Sequence, residues 1–256
     1  MELMGYEFMD TQPAYSKIDE QLRTEGIVFG DFDSRTEGWW LLERDAPSPN
    51  EKAIVETLPY MQGSYDFSVF DDERYFENRT LTYKFKVVAS PYADRKMLEH
   101  EIKRKLIPSK IQRLIDTHDA NYFWKGKVQS VTLADDNKYQ TLVATITFNC
   151  YPFAFAKNYE GSDIWDDVEF EHWVFQEVKF DVFETQKIVL TNIGSRSAIC
   201  NVEVTGNVWI KGDNTELQVN QSNYQGVEIV LARGKNYFEL AGKGTIYFKF
   251  RREEMI

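Results

Sequence analysis

Thr80-Leu81-Thr82-Tyr83-Lys84-Phe85-Lys86-Val87 decides the fold class. Leu81, Tyr83, Phe85 and Val87 fall on one side, and Thr80, Thr82, Lys84 and Lys86 on the other. That two-residue period is the signature of a strand buried on one face. Working outward, Thr141–Cys150 repeats it through Leu142, Ala144, Ile146, Phe148 and Cys150. A run from Tyr122 to Leu133 precedes it, with a turn expected at Asp135-Asp136-Asn137, so the two read as a long hairpin. Ile111 to Asp116 reads as a further strand, turning at His118-Asp119-Ala120-Asn121. Arg35 to Pro59 is less regular, interrupted by Pro47-Ser48-Pro49, and reads as short strands and extended loops.

One helix is predicted between these strands. Ser90-Pro91 offers an N-cap followed by Pro at the first helical position. Leu98, Ile102 and Leu106 recur every four residues, Glu101 and Lys105 form an expected i,i+4 pair, and Pro108 ends the run. Arg95 to Arg113 holds seven bases against two acids, whereas Asp31 to Glu73 holds eleven acids against three bases. A solvated helix face explains the bases. A positive surface meeting an acidic neighbour is the sharper alternative.

The chain changes character after Tyr151-Pro152. Gly161 to Asp181 carries seven acids, one base and five aromatics, Trp165 and Trp173 among them. This run reads as strand core, as a protein-docking surface, or as a platform for stacking sugars. Short strands are then expected to start near Lys187, Ile199, Asn207, Glu216, Gly226, Asn236 and Thr245. Gly242-Lys243-Gly244 reads as a tight turn, and the spacing argues for a β-sandwich or barrel. The sequence thus predicts two β-rich domains, residues 1–152 and 153–256.

The chain has 256 residues, 30 basic and 41 acidic, a net charge of −11. That charge disfavours non-specific binding to nucleic-acid phosphates and anionic lipid. The longest uncharged run, Tyr139 to Ala156, is polar in places and alternates, so no membrane span is expected. The N-terminus lacks the basic and apolar regions of a signal peptide, which points to a protein made and kept in a cytoplasm.

Little in the sequence points to catalysis. Gly242-Lys243 has Tyr237 where a phosphate loop needs Gly, and there is no Gly-x-Ser-x-Gly, His-Glu-x-x-His or Cys-x-x-Cys. Cys150 and Cys200 read as small buried hydrophobes. Ser195 has no His nearby in sequence. Paired acids such as Asp31/Asp33, Asp71/Asp72 and Asp166/Asp167 supply carboxylates without the geometry of a glycosidase. Asp163/Asp166/Asp167 lacks the loop spacing of a calcium site. No catalytic residue, cofactor or metal is therefore expected.

Several stretches in order resemble one family, the distal tail proteins of long-tailed phages with non-contractile tails. Gly26-Ile27-Val28-Phe29-Gly30-Asp31-Phe32-Asp33-Ser34 with Gly38-Trp39-Trp40-Leu41 resembles the family's opening hairpin. Leu58 to Ser68 resembles its proline, glycine and small-residue turn. Tyr75 to Leu81 resembles its aromatic-x-Asn-Arg lead into a strand. The helix after Ser90-Pro91 and Cys150-Tyr151-Pro152-Phe153-Ala154 are similar too. So are Asn192-Ile193-Gly194 and Gly234-Lys235-Asn236-Tyr237-Phe238 in the second half. The resemblance covers Gly26 to the end, and residues 1–25 stand outside it as an extension.

The resemblance implies a mainly β fold: an N-terminal β-sandwich-type ring domain with one α-helix and a long hairpin, then a galectin-like β-sandwich. It implies a structural protein of the virion, a hexameric ring at the tail tip, assembled in the host cytoplasm. The ring would join the tail tube protein to a tail-associated fibre or lysin, and in places to receptor-binding proteins, with DNA passing through. The basic and aromatic segments make Arg95, Lys103, Arg104, Lys105, Tyr122, Trp124, Trp165 and Trp173 the interface candidates. A second reading is a carbohydrate-binding adsorption module for host surface glycans. The sugar-binding His-x-Asn-x-Arg run of true galectins does not follow His172-Trp173.

Overall fold

The structure is a computed structural model that describes residues 24–70, 73–88, 92–136, 141–161, 174–212, 215–220 and 227–256. Contacts within the chain divide it into two compact units, Met1–Ala154 with Ile256, and Phe155–Met255.

The first unit opens with β1 (Ile27–Phe29), β2 (Phe32–Asp33) and β3 (Trp40–Asp45). Four two-residue strands follow: β4 (Val55–Glu56), β5 (Tyr65–Asp66), β6 (Val69–Phe70) and β7 (Glu73–Arg74). Then come β8 (Arg79–Val88), α1 (Tyr92–Leu106), β9 (Gln112–Asp116), β10 (Tyr122–Asp136) and β11 (Thr141–Cys150). The main sheet runs β2-β1-β9-β10-β11-β8-β3. Each alternating face read from the sequence finds its counterpart across the ladder. Leu81 lies opposite Phe148, Tyr83 opposite Ile146, Phe85 opposite Ala144 and Val87 opposite Leu142, and all eight are buried.

This sheet is rolled. β1 and β11 stand three places apart in the order, about 14 Å on a flat sheet. Phe29 and Phe148 nevertheless meet edge to face with centroids 5.0 Å apart. Trp39 bridges Phe32 and Phe85 at 5.0 and 5.7 Å. The two ends of the order thus close over one core, to which α1 adds Ile102 and Leu106.

Two details differ from the sequence expectation. Asp135 and Asp136 still pair with Leu142 and Thr141, so they extend the strand and the turn falls at 137–140, outside the described residues. Lys105 pairs with Glu37 rather than Glu101, while Glu99 takes Lys96 and Lys103. Ser90 and Pro91, the expected cap, lie outside the described residues.

The short β12 (Ala154–Ala156) falls at the division. The second unit holds β13 (Lys179–Val182), β14 (Thr185–Asn192), β15 (Ala198–Gly212), β16 (Thr215–Asn220), β17 (Glu228–Leu231), β18 (Gly234–Phe250) and β19 (Glu253–Glu254). Here the sequence rhythm misleads. The strands expected near Ile199 and Asn207 are one strand, β15, and those near Asn236 and Thr245 are one strand, β18. Gly242-Lys243-Gly244 is not a turn but the middle of β18.

These two long strands pair along their length and bend together. Gly206 faces Gly244, and Val208 faces Gly242. All three glycines occupy the inward parity shared by Val204, Val208, Leu240 and Ile246, which are buried. A Cβ on Gly206 would stand 2.5 Å from the Lys243 carbonyl oxygen, and one on Gly242 2.4 Å from that of Asn207. Glycine therefore lets the concave side of the fold close. Beyond the bend, β14 and β16 flank one half, and β13 and β17 flank the other. The halves share one core, with Phe238 stacked on Phe248 at 6.0 Å. This is a β-sandwich made by bending one sheet.

Candidate interaction surface

Two patches of the first unit are uncovered, one an arm and the other a helix stripe. The arm is the segment from Ala46 to Arg79, between β3 and β8. Arg79 clasps its base. Its guanidinium is buried, lies 5.7 Å from the Trp124 ring centroid, and donates to the Ala46 carbonyl at 3.0 Å and to that of Ile256 at 2.5 Å. Burial pushes its pKa down. Above this clasp the arm is held by backbone bridges, by side-chain bonds of Ser68 and Asp66, and by the surface ion pair Arg74–Glu51.

Phe76 packs edge to face on Phe153 at 5.6 Å, but most of the arm's apolar side chains do not pack inward. Ile54, Val55, Leu58, Tyr65, Phe67 and Val69 are each half exposed or more, and Tyr60 is fully exposed. Tyr60 also takes φ 68°, a left-handed conformation unfavourable for a bulky residue. So many neighbouring exposed apolar groups mark an interaction site on a folded domain. The arm lacks regular alternation, and its reading as short strands and extended loops gives no sign of this apolar surface. Asp71 and Asp72 of its acidic run lie outside the described residues.

The helix stripe is Met97, His100, Arg104 and Ile107, continued by Ile111, all exposed. Of the basic candidates, Arg104 is on this stripe. Lys103 is half-buried and paired with Glu99, whose carboxyl Lys103 and Lys96 pull down to about 2. Lys105 lies over the Phe32 ring at 5.6 Å as well as beside Glu37. Behind it a cleft of about 20 Å³, between α1 and the β2–β3 turn, has room for a water but no substrate.

Two candidates are corrected. Trp124 is wholly buried in the first core, because β10 carries it on the inward face, so it offers no surface. Arg95 is 4% exposed and bonds Asp135 at 2.6 Å across α1 and β10. It anchors the helix to β10. Tyr122 is half-buried against the same core. Trp165 and Trp173 lie outside the described residues, as does the acidic group Asp163/Asp166/Asp167.

Groups with perturbed chemistry are structural. Asp116 is fully buried and accepts from Arg44 Nε at 2.5 Å, Tyr83 Oη at 2.8 Å and His118 N at 2.8 Å. Burial pushes its carboxyl up, but the bonds from His118 and Arg44 outweigh it and hold the pKa below the usual range. Arg44 also pairs with Asp119. Ser195 Oγ donates to Glu254 at 2.8 Å and accepts from Met255 N at 3.0 Å, fixing a loop. Both cysteines are buried free thiols, pushed up to about 12. Among the described residues, no group of His, Cys, Asp and Glu is spaced to hold a metal.

The second unit's turns follow from two asparagines. Asn192 Oδ1 accepts from Gly194 N at 3.0 Å, and Asn236 Oδ1 accepts from Ala232 N at 2.8 Å. Each replaces a backbone partner within a turn. Outside the sheet, Trp209 and Tyr237 are half exposed, with the facing pair Lys211 and Glu239 between them.

A rolled sheet with one helix, followed by a bent-sheet sandwich, defines a two-unit, mainly β fold. No family model matches the chain, and no curated protein does. Among solved structures the fold is similar to that of the SPP1 Dit (gp 19.1) protein, described as a paradigm of the hub adsorption apparatus in phages infecting Gram-positive hosts. The TM-score is 0.61 at 12% identity, over 90% of this chain and 98% of that one. The likeness is one of fold and runs through both units.

Proposed function

We propose that the chain is a structural hub protein of a phage tail tip. The observation that carries this is the fold likeness to a phage hub protein along nearly its whole length. In this reading the first unit forms a homohexameric ring and the second unit, Phe155–Met255, is a galectin-like outer module. The tail tube protein sits above, and a fibre or lysin sits below. Receptor-binding proteins attach outside, and DNA crosses the ring on ejection. An uncovered apolar arm supports self-association, since a ring uses a different patch on each side of every copy. Excess acid, −11 per chain, suits a channel that DNA must slide through without sticking. The work is assembly, and no side chain is assigned a catalytic role.

Antibody labelling of intact virions tests the reading. Label confined to one tail end supports it, and label on the capsid or on no virion contradicts it.

A second reading rests on Trp209 and Tyr237. They share the outer face of the second unit, four residues apart in register along the sheet or about 13 Å, with Lys211 and Glu239 between. Stacking rings around a charged pair fit a saccharide. Selective glycan binding lost on Trp209→Ala would favour a carbohydrate-binding adsorption module.

A further inference from the structure

We infer that the arm of one copy docks on the α1 stripe of a second copy of this chain. The inference rests on the ring reading and names the two surfaces that meet. Both patches are apolar and uncovered in a single chain. The arm presents Ile54, Val55, Leu58, Tyr60, Phe67 and Val69, and the stripe presents Met97, Ile107 and Ile111.

Their charges are opposite. The arm and its root carry Glu56 and Glu77, which have no ion-pair partner among the described residues. Arg104 and Lys110 on and beside the stripe are likewise without an acidic partner among the described residues. The arm's own bases are Lys52 and Arg74, the latter spent on Glu51. Glu99 and Glu37 are spent on Lys96, Lys103 and Lys105, and the exposed Glu101 beside Met97 offsets one of the two bases, Arg104 and Lys110, so the stripe keeps a basic excess. An acidic apolar surface and a basic apolar surface are thus left over, and each fits the other better than itself.

The topology separates them. The arm returns into the start of β8 at Arg79, and α1 leaves from its other end after Val88, about 30 Å away along a ten-residue strand. A contact that joins two different patches of identical chains is heterologous, and it closes into a ring when the rotation allows. Tyr60, fully exposed in a left-handed conformation at the arm's tip, is the strained residue that such a contact would stabilise.

The test uses the full chain carrying Glu56→Cys and Arg104→Cys together, treated with a short bis-maleimide. The native thiols are buried and stay silent. The expected result on a denaturing gel is a ladder of covalent oligomers ending at six. Equimolar single variants should stop at dimers, and each single variant alone should give none. Arg104→Glu should weaken association about tenfold at low salt, with recovery when Glu56→Arg is added. A hexamer by solution mass that gives no ladder and no charge rescue overturns the inference and leaves the ring reading standing. A monomer at every concentration overturns both. A link formed only within one chain shows that the arm covers its own helix, and also overturns it.

Discussion

Tyr83 Oη donates to Asp116 Oδ2 at 2.8 Å in full burial, joining β8 to β9, strands three places apart in the sheet order. Arg44 on β3 reaches the same carboxylate from the far edge. One carboxylate thus ties together the ends of a rolled sheet, and removing it would leave Tyr83 without its buried acceptor and Arg44 with Asp119 alone.

Asp116→Ala should therefore destabilise the first unit by about 3–5 kcal/mol, the usual cost of breaking a buried ion pair. Tyr83→Phe removes one bond to a charged group and should cost about 1.5–3 kcal/mol. Urea unfolding of both variants checks the order. Equal losses would mean that the Tyr83 hydroxyl bond, not the pairing of Asp116 with Arg44, closes the roll.

The same cluster sets a pH dependence. His118 is raised above 6.5, first by its hydrogen bond to Asp116. A group with a raised folded pKa stabilises fully below its unfolded value and loses that contribution as pH rises through the folded value. Asp116 is lowered, so its contribution is present above 3.8 and is lost as pH falls through the folded value. Stability should fall at both ends, and His118→Gln should abolish only the loss on the alkaline side of 6.5. Denaturant midpoints from pH 2 to 9 measure this, and an unchanged alkaline limb in His118→Gln would refute the assignment.

Gly206 takes φ +99° at the bend in the second unit. Gly206→Ala adds a Cβ 2.5 Å from a carbonyl oxygen in a backbone conformation that alanine resists. The expected loss is about 1–3 kcal/mol, seen as a lower melting temperature. Thr205→Ala, one residue away on the exposed side, should have little effect.

Cys150 and Cys200 should be silent to an aromatic disulfide reagent in the native chain and react as two thiols in urea. Burial alone, raising both to about 12, accounts for this. Rapid reaction of either thiol in the folded protein would contradict the packing described.

The alternating strands were legible because a half-buried strand must alternate, and Leu81 to Val87 and Leu142 to Cys150 do so. The bend was not legible. A Gly-x-Gly run signals a turn locally, and only pairing with Gly206 makes it a shared kink. Membership of an aromatic segment makes Trp124 an interface candidate in the sequence, whereas the structure buries it in the first core. The arm is illegible for a different reason: its apolar residues follow no period, since no core sets one.

Absolute mass in solution, by light scattering over a range of concentration and salt, tests the hub account most directly. The account predicts a species of six chains, about 180 kDa for a 30.0 kDa chain, that dissociates as salt screens the charged contacts. A 30.0 kDa monomer at every concentration and salt, with no rings on electron-microscope grids, would contradict it.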